Sequence, residues 1–239
     1  MNILVTGGAS GLGEAITRKL AADSRNKVYF TWAGSTENAD ALMKDLPNTQ
    51  GFHCDFHSES DVQRLLGLID EFELHGLVNN AMAGIRIEHF HKLPADYFGR
   101  SFNENVAPVM CITQEVIRSF RKARFGKIVT ILTSYLAGNA PIGLSEYVSI
   151  KAYLHSMAKC WATENARYNI TSNCVSPSFM LTPLNKDTDE RVIEQMTAAH
   201  PLKKLLTPEE SAQVVAFLIE APQHVNGVNL FINAGERVV

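Results

Sequence analysis

The sequence lacks any uninterrupted apolar run near the roughly 20 residues that a membrane-spanning helix needs. It also lacks an excess of positive charge, because 22 lysines and arginines stand against 25 acidic residues and the formal net charge is −3. These two absences predict a protein that neither inserts into a membrane nor binds nucleic acid. No segment rich in proline, glycine or serine divides the chain, so we expect a single domain over residues 1–239.

Cysteine is scarce, and its four positions form no Cys-x-x-Cys pair. The chain opens with "NILVT", a strand-like run that we expect to leave no room for a targeting segment. Four free thiols without a secretion signal are typical of a reducing compartment, so the expected location is the cytoplasm. His89 and His91 lie close together in "EHFHKL", but no cluster with metal-ligand spacing surrounds them, and no metal site is predicted.

Short apolar runs alternate with helical periodicity along the whole chain. Strands are predicted at 2–6, 27–33, 51–56, 75–81, 126–132, 170–178 and 227–235, and two long helices at about 96–123 and 145–166. This alternation predicts an α/β fold: a Rossmann-type, doubly wound parallel sheet of about seven strands with helices on both faces. Such sheets bind ligands beyond the carboxyl ends of their strands, so 82–95 and 178–200 are predicted substrate loops.

A glycine-rich loop, "TGGASGLG" at 6–13, joins the first strand to the first helix. Gly7 allows a tight turn, Gly11 lets the backbone approach a pyrophosphate, and Gly13 lets helix and strand pack closely. The helix N-terminus then offers free N–H groups to the phosphates. The alternative is a glycine-rich turn without a ligand. Asp55, at the end of the third strand, either faces the adenine of a dinucleotide or is a solvated loop residue.

Tyr147 and Lys151, in "YVSIK", lie four residues apart on one face of a predicted helix. Many helices carry such a pair on a solvated surface, and the spacing alone does not distinguish that role from catalysis. The surrounding motifs favour catalysis. They are "TGGASGLG", "CDF", "NNA" (79–81), "NVAP" (105–108), "ILTSYLAG" (131–138), "YVSIK" and "NCVSPSFMLTP" (173–183).

In this order the motifs resemble those of the short-chain dehydrogenases/reductases, in particular 3-oxoacyl-carrier-protein reductases, over nearly the whole chain. The resemblance implies four catalytic residues: Tyr147 exchanges the proton, Lys151 holds the nicotinamide ribose, Ser134 binds the reacting oxygen, and Asn105 holds a water that extends the proton path. It also implies a homodimer or homotetramer, which we expect to assemble through the helices containing 105–120 and 146–165. The implied cofactor-binding residues are Thr6, Gly7, Ser10, Gly11, Leu12, Gly13, Ser35, Asp55, Phe56, Asn80, Ala81, Tyr147, Lys151, Pro177, Met180 and Thr182.

Two of these assignments have neighbours that compete for the role. Thr133 precedes Ser134 and also carries a hydroxyl, but Ser134 stands at the family's interval of thirteen residues before Tyr147. Asn103 competes with Asn105, and the following "VAP" favours Asn105. Met82 and Ser178 replace glycines that are usual in the family. A lysine ammonium within about 4–6 Å of a phenol favours the phenolate, so we expect Lys151 to lower the pKa of Tyr147.

The expected function is that of an NAD(P)-dependent oxidoreductase interconverting a ketone and a secondary alcohol, with a 3-oxoacyl thioester as one substrate class. The alternatives are a catalytically silent NAD(P)-binding sensor or scaffold and a carbohydrate-modifying relative. The second strand ends without an acid, and Ser35 follows it, so NADP is expected over NAD by a modest margin; Ser10 stands where a cation would strengthen that preference. An apolar substrate portion is expected from the candidate lining residues Met82, Ile85, Leu136, Phe179 and Met180.

Overall fold

The computed structural model describes residues 1–238 and contains one sheet of seven parallel strands. The strands are β1 Asn2–Val5, β2 Lys27–Trp32, β3 Thr49–His53, β4 Gly76–Asn79, β5 Gly126–Ile131, β6 Ile170–Pro177 and β7 Asn229–Ile232. Their order in the sheet is β3-β2-β1-β4-β5-β6-β7. The predicted doubly wound α/β sheet is therefore confirmed. The predicted third strand was placed too late, because β3 ends before Asp55.

Eight α-helices connect the described strands. They are α1 Gly11–Ala21, α2 Thr36–Asp45, α3 Glu59–Leu68, α4 Tyr97–Asn105, α5 Ala107–Ala123, α6 Ser145–Asn165, α7 Glu190–Ala199 and α8 Pro208–Glu220. None of the described helices combines the length and the apolar composition that crossing a membrane requires.

The helix predicted at about 96–123 was wrong in one respect, since it is two helices. The chain leaves helical hydrogen bonding at Val106 and resumes at Ala107. Pro108 explains the interruption, because it has no N–H to donate to the carbonyl of Glu104 and its ring crowds that turn. The break places Asn105 at the last position of α4.

Two apolar layers cover the sheet because successive strand residues point to opposite faces. On one face Leu4, Leu77 and Ile128 pack against α3, α5 and α6. On the other face Ile3, Val5 and Val129 join residues of α1, α2 and α8 in a second cluster. The carboxyl ends of the central strands stay open between these layers, and the chain leaves them as loops.

Candidate functional site

The glycine loop is fastened to the end of β4 by Thr6. Its hydroxyl accepts hydrogen bonds from the backbone N–H groups of Asn80, at 2.9 Å, and Ala81, at 3.0 Å. The Asn80 side chain returns two bonds, to the carbonyls of Thr6, at 2.9 Å, and Gly7, at 3.1 Å. The predicted residues Thr6, Gly7, Asn80 and Ala81 therefore form one hydrogen-bonded unit at the carboxyl edge of the sheet.

The glycines of this loop allow close contacts within the chain that a Cβ atom would prevent. A Cβ added at Gly13 would lie 1.9 Å from the carbonyl oxygen of Gly7, so only glycine fits there. Gly11 has a φ of +52° and faces Thr182 and Pro183 of the loop after β6, each about 3.1 Å from its ideal Cβ position. Ser10 precedes α1 and its side chain makes no capping bond. The bare first turn of α1, enclosed by these two loops, fits a dinucleotide pyrophosphate.

The residues predicted to contact the adenine end of the cofactor already make contacts within the chain. Asp55 follows β3, and its Oδ1 accepts a hydrogen bond from the backbone N–H of His57 at 2.9 Å. That bond and the His57 side chain lower the pKa of Asp55. The Phe56 side chain lies in the core beneath. Ser35 is half-buried at the start of α2, with no capping bond from its side chain.

Tyr147 and Lys151 both lie in the first two turns of α6. Lys151 is 5% exposed, and its Nζ donates a hydrogen bond to the Ile131 carbonyl at 2.9 Å. Burial lowers the pKa of Lys151 to about 8. Burial raises the pKa of Tyr147 to about 12, and a hydrogen bond with Thr133 acts in the opposite direction. The expectation of a lowered Tyr147 pKa is thus wrong for the protein alone, because desolvation of the phenolate outweighs the effect of Thr133.

Thr133 and Ser134 follow β5 and differ in what they contact. Thr133 starts a short 3₁₀ turn, accepting a hydrogen bond from the backbone N–H of Tyr135 at 3.3 Å, and its hydroxyl hydrogen-bonds Tyr147. Ser134 is 1% exposed, and its Oγ has no partner within residues 1–238. Thr133 thus acts on Tyr147 in the first turn of α6, whereas the Ser134 hydroxyl has no partner in the described chain.

Asn105 connects α4 to the loop after β4. Its Oδ1 accepts a hydrogen bond from the backbone N–H of Ala83 at 2.8 Å, and its Nδ2 lies 3.3 Å from the hydroxyl of Ser101. Ser101 in turn donates to the carboxylate of Glu146, the residue before Tyr147. Ser101 and Glu146 belong to none of the motifs recognised in the sequence. The available signal was their position in the sequence. Ser101 lies one helical turn before Asn105, and Glu146 directly precedes Tyr147.

The predicted lining residues divide between the site and the core. Met180 packs in the buried cluster that contains Leu12, and Leu136 is half-buried against the opposite cluster. Pro177 ends β6 and is buried. A different set of apolar side chains is exposed in the segments that follow β4, β5 and β6, up to the first turn of α7: Ile87, Phe90, Ile142, Leu181, Leu184 and Val192.

One cavity lies near this edge of the sheet, and another lies far from it. One of about 210 Å³ lies between the loop 83–86 and α4, and Tyr97, Ser101, Glu104 and Asn105 line it. A larger one, of about 300 Å³, is lined by Met1, Asn26 and neighbouring residues at the amino ends of the strands. The larger cavity lies at the opposite end of the strands from the predicted catalytic residues, so size does not identify the site here. No metal-binding group of His, Cys, Asp or Glu occurs among the described residues.

Comparisons with known proteins agree with this geometry. A sequence model of the family described as enoyl-(acyl carrier protein) reductase matches residues 7–236. The chain is 30% identical over 239 residues to the 3-oxoacyl-(acyl-carrier-protein) reductase MabA of Mycobacterium tuberculosis (strain ATCC 25618 / H37Rv), covering 98% of this chain and 92% of the relative.

Solved structures give the same result. The fold resembles that of a short-chain dehydrogenase/reductase family protein, with a TM-score of 0.85 and 27% identity over 98% of this chain and 96% of that one. It also resembles a variant of actinorhodin polyketide ketoreductase with NADPH, with a TM-score of 0.88 and 25% identity over 98% and 96%. The chain therefore belongs to the short-chain dehydrogenase/reductase family and is an NAD(P)-dependent oxidoreductase of that family.

Proposed function

We propose that this protein is a ketoreductase in which Tyr147, Lys151, Asn105 and Ser134 are the catalytic residues. The observation that carries the proposal is the arrangement at the start of α6. Lys151 lies one helical turn after Tyr147, is buried, and donates a hydrogen bond to the carbonyl of Ile131 at the end of β5. Ser134 follows that strand, and its buried hydroxyl has no partner among residues 1–238. A silent sensor or scaffold is not favoured, because a protein that only binds a dinucleotide needs no proton relay such as Asn105, Ser134, Tyr147 and Lys151 would form.

The proposed reaction reduces a ketone to a secondary alcohol. A bound nicotinamide supplies the hydride that reaches the carbonyl carbon. Ser134 donates a hydrogen bond to the carbonyl oxygen and orients it. Tyr147 transfers its hydroxyl proton to that oxygen, and the charge of Lys151 stabilises the phenolate that remains. Asn105 holds the end of α4 against the loop at Ala83, beside the proton path from Lys151.

The proposed substrate is a ketone with a long apolar portion, such as a 3-oxoacyl thioester. Ile87 and Ile142 are 72% and 80% exposed, and Glu88 hydrogen-bonds Gly143, so these two loops form one apolar rim. MabA is named for a 3-oxoacyl substrate and the actinorhodin enzyme for a polyketide. Exposed apolar side chains around a site favour an apolar ligand over a sugar.

NADP is the proposed cofactor, with NAD as a weaker one. β2 ends at Trp32, and the next residues, Ala33 to Ser35, carry no acid that would repel a 2′-phosphate. Glu37 is the first acid, and it lies on the exposed first turn of α2. The actinorhodin ketoreductase structure contains NADPH.

A homodimer or homotetramer is the proposed assembly. Fewer apolar side chains are exposed for a subunit contact than the sequence suggested. Val109, Ile112, Leu154 and Trp161 all face the core and do not form an outer apolar surface. Phe102 and Tyr153 remain exposed on α4 and α6, with ring centroids 5.3 Å apart. Sedimentation of the wild type and of Tyr153→Glu tests whether this pair lies in a subunit contact. The four cysteines are free, which fits the proposed cytoplasmic location.

The test of the proposed function is a panel of 3-oxoacyl, enoyl, steroid and sugar substrates, followed by consumption of the reduced cofactor. We expect turnover of 3-oxoacyl thioesters, and turnover of enoyl thioesters alone would overturn the ketoreductase assignment. Tyr147→Phe should lower kcat by about 10²–10⁴-fold with cofactor affinity unchanged. Tyr153→Phe, which removes an exposed hydroxyl from the same helix, is the matched control.

A further inference from the structure

Glu146 is a buried acidic residue that the proposed mechanism leaves without a role. Only 3% of it is exposed. One carboxylate oxygen accepts the hydrogen bond from Ser101, and the other, Oε2, is buried without a hydrogen-bond partner in the described chain. Burying a carboxylate with an unsatisfied oxygen lowers stability. Groups that cost stability in this way are expected mainly at functional sites.

The contacts of Glu146 lead to a proposed catalytic residue. Ser101 lies one helical turn before Asn105 on α4, and the Asn105 amide donates to both the Ser101 carbonyl, at 3.2 Å, and its hydroxyl, at 3.3 Å. The other end of the Asn105 side chain accepts from Ala83. A continuous hydrogen-bonded path thus runs from Glu146 through Ser101 and Asn105 to the loop after β4.

The path joins α4 and α6, which are distant in sequence. Asn105 is the last residue of α4, where the break before Pro108 removes the support of a continuous helix. Glu146 lies in the first turn of α6 and directly precedes Tyr147. A bond between Ser101 and Glu146 therefore fixes the loose end of α4 relative to the turn that carries Tyr147.

We propose that Glu146 is a positioning residue, which holds Asn105 in place through Ser101. This inference rests on the proposed function, because Asn105 and Tyr147 are catalytic only there. The role requires a hydrogen-bond acceptor at position 146 and a donor at position 101. Without the bond, the end of α4 moves and Asn105 loses its fixed position relative to the turn that carries Tyr147. Displacements of about 1 Å can cost about 10²-fold in rate.

The experiment compares Glu146→Ala, Glu146→Gln and Ser101→Ala in the full-length enzyme. We expect Glu146→Ala and Ser101→Ala each to lower kcat by about 10–100-fold, with KM and cofactor Kd unchanged. Glu146→Gln should retain most of kcat, since its amide oxygen still accepts from Ser101. Thermal unfolding should show no loss of stability in Glu146→Ala. Glu164→Ala, an exposed change on the same helix, is the control.

The decisive measurement is the effect of Glu146→Ala in an Asn105→Ala background. A residue that acts through Asn105 has no further effect there, whereas a purely structural residue gives effects that multiply. Multiplying effects, or a Glu146→Ala enzyme as fast as Glu164→Ala, would overturn the inference. If Glu146→Ala does not fold, Ser101→Ala carries the same comparison. Turnover that survives Tyr147→Phe would instead refute the proposed function itself.

Discussion

Lys151 holds its ammonium nitrogen 5.8 Å from the centre of the Tyr147 ring, while donating a hydrogen bond to the carbonyl of Ile131. An ammonium close to a phenol can favour the phenolate. Burial instead dominates both groups, raising the pKa of Tyr147 and lowering that of Lys151. In the free protein the pair is thus set to hold the proton on Tyr147, as the acid in ketone reduction must.

The stability of the protein should depend on the charge of Lys151. Its pKa is about 8 in the folded chain and about 10.5 unfolded, so between these pH values only the unfolded chain holds the proton. The free energy of unfolding then rises with pH across this window. Below pH 8 the folded chain bears the full cost of burying the charged Lys151. Relative to Lys151→Met, the wild type should gain up to about 3 kcal/mol between pH 7 and pH 10.

Denaturant unfolding at several pH values measures this gain. Lys159→Met, an exposed change on the same helix, should show no such trend relative to the wild type. Measurements stop near pH 10, because the raised pKa of Tyr147 makes stability fall with pH above its unfolded value. A constant difference between the wild type and Lys151→Met would show that Lys151 is not desolvated.

Ser134→Ala should lower kcat more than Thr133→Ala. Ser134 has a buried hydroxyl without a partner among residues 1–238, available to a substrate oxygen, whereas the Thr133 hydroxyl already accepts a hydrogen bond from the backbone of Tyr135. Loss of a donor to a developing oxyanion costs about 10²–10³ in kcat. Single-turnover rates with one ketone decide the order. If Thr133→Ala is the slower enzyme, Thr133 binds the reacting oxygen.

Gly13→Ala should unfold the glycine loop or prevent cofactor binding. The new Cβ would lie 1.9 Å from the backbone oxygen of Gly7, and backbone cannot yield as a side chain can. Such overpacking is expected to lower the free energy of unfolding by about 3 kcal/mol or more. Gly67→Ala is the control, since Gly67 lies in α3 with open space at its Cβ position. It should stabilise the protein by about 0.5–1 kcal/mol in thermal unfolding.

Ser35→Asp should reverse the preference between the two dinucleotides. The wild type is expected to have a modestly higher kcat/KM with NADPH than with NADH, because no acid follows β2. An aspartate at position 35 would repel the 2′-phosphate and accept hydrogen bonds from the ribose hydroxyls. Paired kcat/KM values at one salt concentration measure the ratio. A wild type that prefers NADH would indicate that another acid, such as Glu37, reaches the ribose.

The sequence by itself determined the order of strands and helices and the place of the cofactor loop. Both depend on local rules: apolar runs ended by glycines form strands, and a glycine-rich turn before a helix exposes N–H groups. Pro108 was also readable as a helix interruption, although the periodicity on either side of it suggested one helix.

Only the tertiary structure decided which apolar side chains face the core and which polar groups meet. Periodicity identifies an apolar face but not what covers it, so both long helices were expected to contribute to a subunit contact, whereas their residues Val109, Leu154 and Trp161 lie in the core. Glu146 and Ser101 are 45 residues apart, and their contact arises because α4 and α6 pack side by side over the same sheet. Burial of Tyr147 and Lys151 likewise follows from packing of distant segments, which sets their pKa values in a direction that the spacing alone did not predict.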